Sequence, residues 1–200
     1  MRNIMKAATI ESKFPLLAVE HDCIISKDAD ITVAYRVELP ELFTVTNTEY
    51  EAIHSSWAKA VKVLPEYCVM HKQDWFVRET YKPATDKDDM SFLSRNFEKH
   101  FNERPFLNHS CFLFLTKTTK ERMRMQSNFS SLCRGNIIPK EVNKDTSVKF
   151  LEAVGQFERI MNDSGFIRLT RISSDEITGT DTSAGLIEKY FALSLDDTTC

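Results

Sequence analysis

The sequence predicts an α+β fold: a mixed, mainly antiparallel sheet with helices packed largely on one face and ferredoxin-like pieces. Three observations carry that expectation. Ile31, Val33, Tyr35, Val37 and Leu39 alternate with other residues, which is the period of a strand with one buried face. Tyr50, Ile53, Trp57, Val61 and Leu64 recur at helical spacing and form one apolar stripe. Strand-like and helix-like segments then interleave in the order β-β-α-β-α-β followed by α-β-α, so that helices cross between strands of one sheet.

The first strand is expected at about 17–25, within Phe14-Pro-Leu-Leu-Ala-Val-Glu-His-Asp-Cys-Ile-Ile-Ser. Asp28-Ala-Asp marks a turn, and 31–39 returns as the hairpin partner until Pro40 ends it. Thr48-Glu-Tyr-Glu51 reads as a capping box, in which the threonine side chain takes an exposed N–H of the first turn and the glutamate bonds back. Pro65 stops this helix. Residues 67–81 form a long strand and 82–88 a polar loop. A second helix over about 89–103 carries Met90, Leu93, Phe97 and Phe101 on one side, and Arg104-Pro-Phe closes it. His109-Ser-Cys-Phe-Leu-Phe-Leu-Thr is apolar enough to be central in a sheet. A third helix begins near Thr146 and ends at Gly165, a residue suited to a left-handed cap. Phe166-Ile-Arg-Leu-Thr-Arg is a short strand. The acidic, hydroxyl-rich segment 173–183 leads to a last helix at 186–195.

A chain of 200 residues with 42% hydrophobic and 28% charged residues has the balance of a soluble globular protein. Fourteen Phe against five Gly and six Pro argue for a packed core and against disorder. No apolar run approaches the roughly 20 residues that cross a bilayer, and the apolar start is too short for a secretion signal. The expected location is the cytoplasm.

Five cysteines, an odd number with no C-x-x-C pair, argue against a disulfide framework. Three have a histidine close by: His21-Asp-Cys23, Cys68-Val-Met-His71 and His109-Ser-Cys111. Zinc needs three or four such ligands converging on one point. Each pair lies in its own strand-like apolar segment, where cysteine serves as a small hydrophobe, so no metal and no cofactor are expected.

Gly179-Thr-Asp-Thr-Ser-Ala-Gly185-Leu-Ile-Glu-Lys189 resembles a phosphate-cradling loop at first sight. In a true G-x-x-x-x-G-K-[ST] loop the lysine follows the second glycine directly. Here Leu186 stands in that place and the glycines are one residue too far apart. The expected structure is a polar turn. No G-x-S-x-G elbow, H-E-x-x-H helix or Gly-rich dinucleotide fingerprint is present. Asp86-Lys-Asp-Asp89 suits a helix start, where carboxylates meet the positive dipole end. His54 and His100 border apolar stripes.

Charge is unevenly spread. Residues 117–144 hold seven basic side chains against two acidic ones, a net of +5; with the whole chain at −3, the remainder carries −8. Lys117, Lys120, Arg122, Arg124 and Arg134 are the candidate partner-binding residues. Such a cluster attracts phosphate polyanions, anionic lipid heads or an acidic protein surface. A nucleic-acid module built on 117–144 is one alternative. The pI near 6.0 and the confinement of aromatics to apolar stripes weigh against it. A small metal-dependent enzyme using the His/Cys pairs is the other.

The stretches Phe14-Pro-Leu-Leu-Ala-Val-Glu-His-Asp-Cys-Ile-Ile-Ser, Val33-Ala-Tyr-Arg-Val-Glu-Leu-Pro-Glu-Leu-Phe-Thr, Tyr50-Glu-Ala-Ile-His-Ser-Ser-Trp and Phe97-Glu-Lys-His-Phe-Asn-Glu-Arg-Pro-Phe-Leu-Asn-His occur in that order. Together they resemble the N-terminal region of TraG-type conjugation ATPases of conjugative transposons, within the type IV secretion ATPase group. The likeness covers about residues 10–200. It implies an N-terminal, non-motor domain over 1–200, subdivided into 1–116 (hairpin plus βαβ-type core), the basic segment 117–144 and the helix-strand-helix piece 145–200. It implies docking on inner-membrane channel subunits and on neighbouring ATPase copies, peripheral to the cytoplasmic face. The nucleotide motor would lie beyond Cys200, and no nucleotide-binding residue carries over.

Overall fold

A computed structural model of the chain describes residues 14–27, 30–41, 43, 45–81, 91–102, 104–118 and 144–192. Five strands form the main path of one sheet: β1 (Leu16–Glu20), β2 (Cys23–Ser26), β3 (Ile31–Glu38), β4 (Cys68–Thr80) and β5 (Pro105–Lys117), in the order β1-β2-β3-β5-β4. A sixth, β6 (Arg168–Arg171), pairs with β3. Every described pairing is antiparallel. With helices α1 (Asn47–Val63) and α3 (Lys144–Asp163), the chain β3-α1-β4-β5-α3-β6 has the spatial strand order β6-β3-β5-β4. That is the complete split-βαβ arrangement of a ferredoxin-like core. The β1–β2 hairpin is added on the edge of β3. β2 meets its start at Ile31 and Thr32, and β6 meets its end from Tyr35 to Glu38.

The expected strand at 17–25 is two strands. His21 and Asp22 both have positive φ, 54° and 58°, and turn the chain between Glu20 and Cys23. Two consecutive left-handed residues match the right-handed twist of the flanking strands, and aspartate tolerates that conformation better than most residues. The β2–β3 hairpin stands as expected, while residues 28 and 29 of its turn lie outside the described residues.

Helix α1 starts two residues earlier than Thr48-Glu-Tyr-Glu51 implied. Thr46 is the N-cap: its Oγ1 accepts from Glu49 N–H, and Glu49 Oε2 accepts from Thr46 N–H at 2.8 Å. Its buried face is Ile53, Trp57, Ala60 and Leu64, and Tyr50 and Val61 are exposed, so the stripe is rotated from the predicted one. Leu64 ends the helix with an extended backbone before Pro65.

Two layers of apolar side chains hold the sheet. On one face Val33, Tyr35 and Val37 of β3, Leu113 and Leu115 of β5, and Phe150, Val154, Phe157 and Met161 of α3 share a core with α1. Trp57 meets Phe157 edge-on at 6.0 Å between ring centroids. This core draws on both sides of segment 117–144. On the opposite face a smaller cluster joins Ile24, Ala34, Phe112 and Ile172 to two short helices, α4 (Ser174–Thr178) and α5 (Leu186–Ala192). The long helices thus share one face, and the short ones close the other. Leu39, expected in the alternating stripe, is exposed beyond the end of β3.

Segment 173–183, expected only to lead to the last helix, begins with α4, and the polar turn expected between the glycines is a tiny hairpin of β7 (Gly179–Thr180) with β8 (Ser183–Ala184). Ser173 and Glu176 make a second capping box that starts α4. Gly165 takes the expected left-handed cap after α3, with φ 74°. No helix among the described residues is long and apolar enough to cross a membrane.

Candidate interaction surface

Strand length decides what projects from this core. β4 and β5 each have 13 residues, about 43 Å of extended chain, whereas the 17 residues of α1 span about 25 Å. The helical layer therefore covers only part of the pair. From Cys111 to Lys117 β5 is buried or half-buried, and from Pro105 to His109 it is exposed. The distal half of β4–β5 forms a two-stranded arm, and helix α2 (Phe92–Asn102) sits in the connection between its strands.

Ser91 starts α2 by accepting from Ser94 N–H at 3.2 Å. Asp86 to Asp89, expected at this helix start, lie outside the described residues, as do the loop 82–88 and Met90. The apolar stripe expected along one side of this helix is exposed: Leu93 by 79% and Phe97 by 63%, and Phe101 is also open. None of these residues joins either core cluster. On the arm, Phe106 and Leu107 of β5 and Phe76 of β4 are exposed as well. Among the described residues these side chains form an exposed apolar surface that neither core covers. Periodicity identified the stripe correctly and could not say what would cover it.

A polar cluster stands where the arm leaves the core. Asp74 of β4 accepts from Lys72 Nζ and, at 2.9 Å, from His109 Nε2–H of β5. His109 in turn stacks on Phe76, with centroids 4.6 Å apart and planes 13° from parallel. The Lys72 and His109 bonds hold the Asp74 carboxyl down at about 2.

Of the predicted contact residues, only Lys117 is described. It ends β5, donates to the Glu66 carbonyl and lies over the Tyr67 ring at 5.4 Å. Lys120, Arg122, Arg124 and Arg134 lie outside the described residues.

The three described cysteines lie on the larger core. Cys23 and Cys111 are buried in it and Cys68 packs against it, and burial pushes all three thiols up from their ordinary value. Cys68 and His71 point to opposite faces of β4, three residues apart. Among the described residues no three His, Cys, Asp or Glu side chains gather as a metal site.

The glycine pair has a structural explanation. A Cβ on Gly179 would stand 2.6 Å from Gly185 N, and one on Gly185 would strike the backbone of Ile177, Thr178 and Gly179. Gly185 N–H is given to Glu188 Oε2 at 3.1 Å, where a phosphate loop would hold its amide toward a ligand. Close passage of two backbones is what these glycines allow. Elsewhere, an open cavity of about 530 Å³ lies where α3 meets β6, between Glu38, Leu39, Asn162 and Arg168. Asn162 bonds both polar groups of Leu169 there, through Oδ1 and Nδ2.

The fold and this surface define a ferredoxin-like α+β domain with a projecting apolar arm. Residues 3–55, about a quarter of the chain, match the model of a domain of unknown function described as "B. Theta Gene description" (DUF3875). The match runs through β1, β2 and β3 into the first half of α1. No curated protein matches the chain.

Proposed function

We propose that this chain is a docking and assembly domain without catalytic machinery of its own, the N-terminal part of an ATPase that drives conjugative DNA transfer. It would act at the cytoplasmic face of the inner membrane. The observation that carries the docking role is the β4–β5 arm with α2, which holds Leu93, Phe97, Phe106 and Leu107 away from both cores and open to a partner. An aromatic cluster on a rigid support is the usual energetic centre of a protein interface. The basic segment 117–144, which begins at the last residue of β5, has the net charge to attract an acidic partner or anionic headgroups. The conjugative context rests on the resemblance of residues 10–200 to the TraG-type family.

Excess chain produced in donor cells tests this. It should occupy the channel sites of the full-length ATPase and lower the frequency of DNA transfer in a mating assay. Leu93→Asp with Phe97→Asp should abolish that inhibition. Unchanged transfer at high levels of folded chain would refute the proposal.

A further inference from the structure

We infer that the outer edge of β4 is a self-association surface, on which a second copy of this chain pairs antiparallel about a two-fold axis at Gln73. β4 ends the sheet order, and its 13 residues run opposite β5 without a bulge. Among the described residues no strand occupies its outer edge. A long regular edge free of proline is a template for another strand.

Symmetry restricts the register. A two-fold axis normal to the sheet must pass between a residue and its own copy, because opposite residues point to the same face. With the axis at Gln73, Lys72 faces Asp74 of the second copy and Asp74 faces its Lys72. Met70 faces Phe76, His71 faces Trp75, and Val69 faces Val77, each pair occurring twice. Met70, Phe76, Val69 and Val77 are exposed in the single chain, so this register covers them with apolar partners. Neighbouring registers lose the match. An axis at Asp74 sets Phe76 against Lys72 and Glu79 against Val69. An axis at Trp75 sets Arg78 against Lys72, two like charges. Lysine on an edge strand ordinarily repels a second sheet. Here one register alone turns it into an attraction.

This deepens the assembly half of the proposed function by naming the surface between copies, and it is separable from channel docking because it needs no other protein. The purified chain is examined by sedimentation equilibrium at micromolar concentration. The expected result is a dimer that Lys72→Asp weakens about tenfold or more, by setting carboxylate against carboxylate, and that Lys72→Asp with Asp74→Lys restores. Circular dichroism confirms that each variant is folded. Independently, single nitroxide labels are placed in turn along β4. Same-position distances between copies should be shortest at residue 73 and lengthen on both sides by about 7 Å per residue, twice the strand rise. A monomer at all concentrations, a dimer indifferent to Lys72→Asp, or a distance minimum away from residue 73 would overturn the inference. A dimer in this register alongside unchanged DNA transfer in the mating assay would leave the inference standing and the docking role refuted.

Discussion

Asp22 and Ser174, 152 positions apart, bond each other in both directions. Ser174 N–H and Oγ–H donate to Asp22 Oδ1 at 2.7 and 3.1 Å, and Asp22 N–H donates to Ser174 Oγ at 2.9 Å. Arg171 Nη2 adds bonds to the carbonyls of His21 and Asp22 at 3.3 and 3.4 Å. The first hairpin is thereby tied to the end of β6 and the start of α4. The Ser174 bonds hold the Asp22 carboxyl below its ordinary range. A lowered folded value means that the stabilisation is complete above the ordinary carboxylate range and is lost as pH falls through the folded value. Asp22→Ala should lower the melting temperature at neutral pH, and the gap to the parent chain should narrow in acid, leaving the pH-independent cost of alanine at φ 58°. Ser174→Ala should do the same, and the double variant should be little worse than either single one. Additive losses would break the link.

Thr46 and Thr48 offer a direct comparison. Both are followed three residues later by glutamate, and Thr46 alone makes the reciprocal bonds. Thr46→Ala should cost about 1 kcal/mol in urea unfolding, and Thr48→Ala should be near neutral. Equal losses would return the helix start to Thr48.

Gly185→Ala should destabilise the chain by more than about 1 kcal/mol, since its methyl would strike backbone atoms that side-chain movement cannot clear. Calorimetric titration of the parent chain with ATP and magnesium should show no binding. Micromolar affinity, reduced by the same substitution without loss of stability, would restore the phosphate-loop interpretation.

Phe157 and Phe97 test core against surface. Phe157 is fully buried and Phe97 is 63% exposed. Phe157→Ala should cost roughly 3–5 kcal/mol. Phe97→Ala should cost less than about 0.5 kcal/mol. A large loss at Phe97 would mean that α2 belongs to the folding core.

Asp74 gives the pH window of the arm. With its carboxyl at about 2, against an ordinary 3.8, what its bonds contribute is complete above the ordinary value and fades as pH falls from there toward 2. The protection of the His109 amide, relative to its intrinsic exchange rate, should therefore fall only in that acid range. Loss of protection at milder acidity would assign it to another group.

Most of the scaffold was legible because it depends on local period and on punctuation. Alternation in 31–39, the apolar strand at 109–116, Pro65 and the glycine at 165 each act within a few residues. The misreadings arose where local signals are degenerate or where partners lie far along the chain. Two overlapping T-x-x-E patterns shifted the start of α1. His21-Asp22 is a left-handed turn without the usual glycine, so two strands looked like one. Ser173-Ser-Asp-Glu had the form of a capping box, and its acidity drew attention away from the helix it starts. The arm was hidden because an amphipathic stripe looks the same whether a core or another protein covers it. Relative length was the available clue: a strand predicted over 67–81 outruns any helix of the chain. Most of the basic residues chosen for partner contact fall outside the described residues, so the contact surface drawn from the geometry is a different one.

Photo-crosslinking in conjugating donor cells tests the docking role most directly. A photoreactive residue is placed at Phe97 on α2 in the proposed full-length ATPase, and another at Arg36, which pairs with Glu176 on the core at 3.4 Å. The expected result is a covalent adduct between position 97 and an inner-membrane channel protein, with none from position 36. Equal adducts from both positions, or none from position 97 while DNA transfer proceeds, would contradict it.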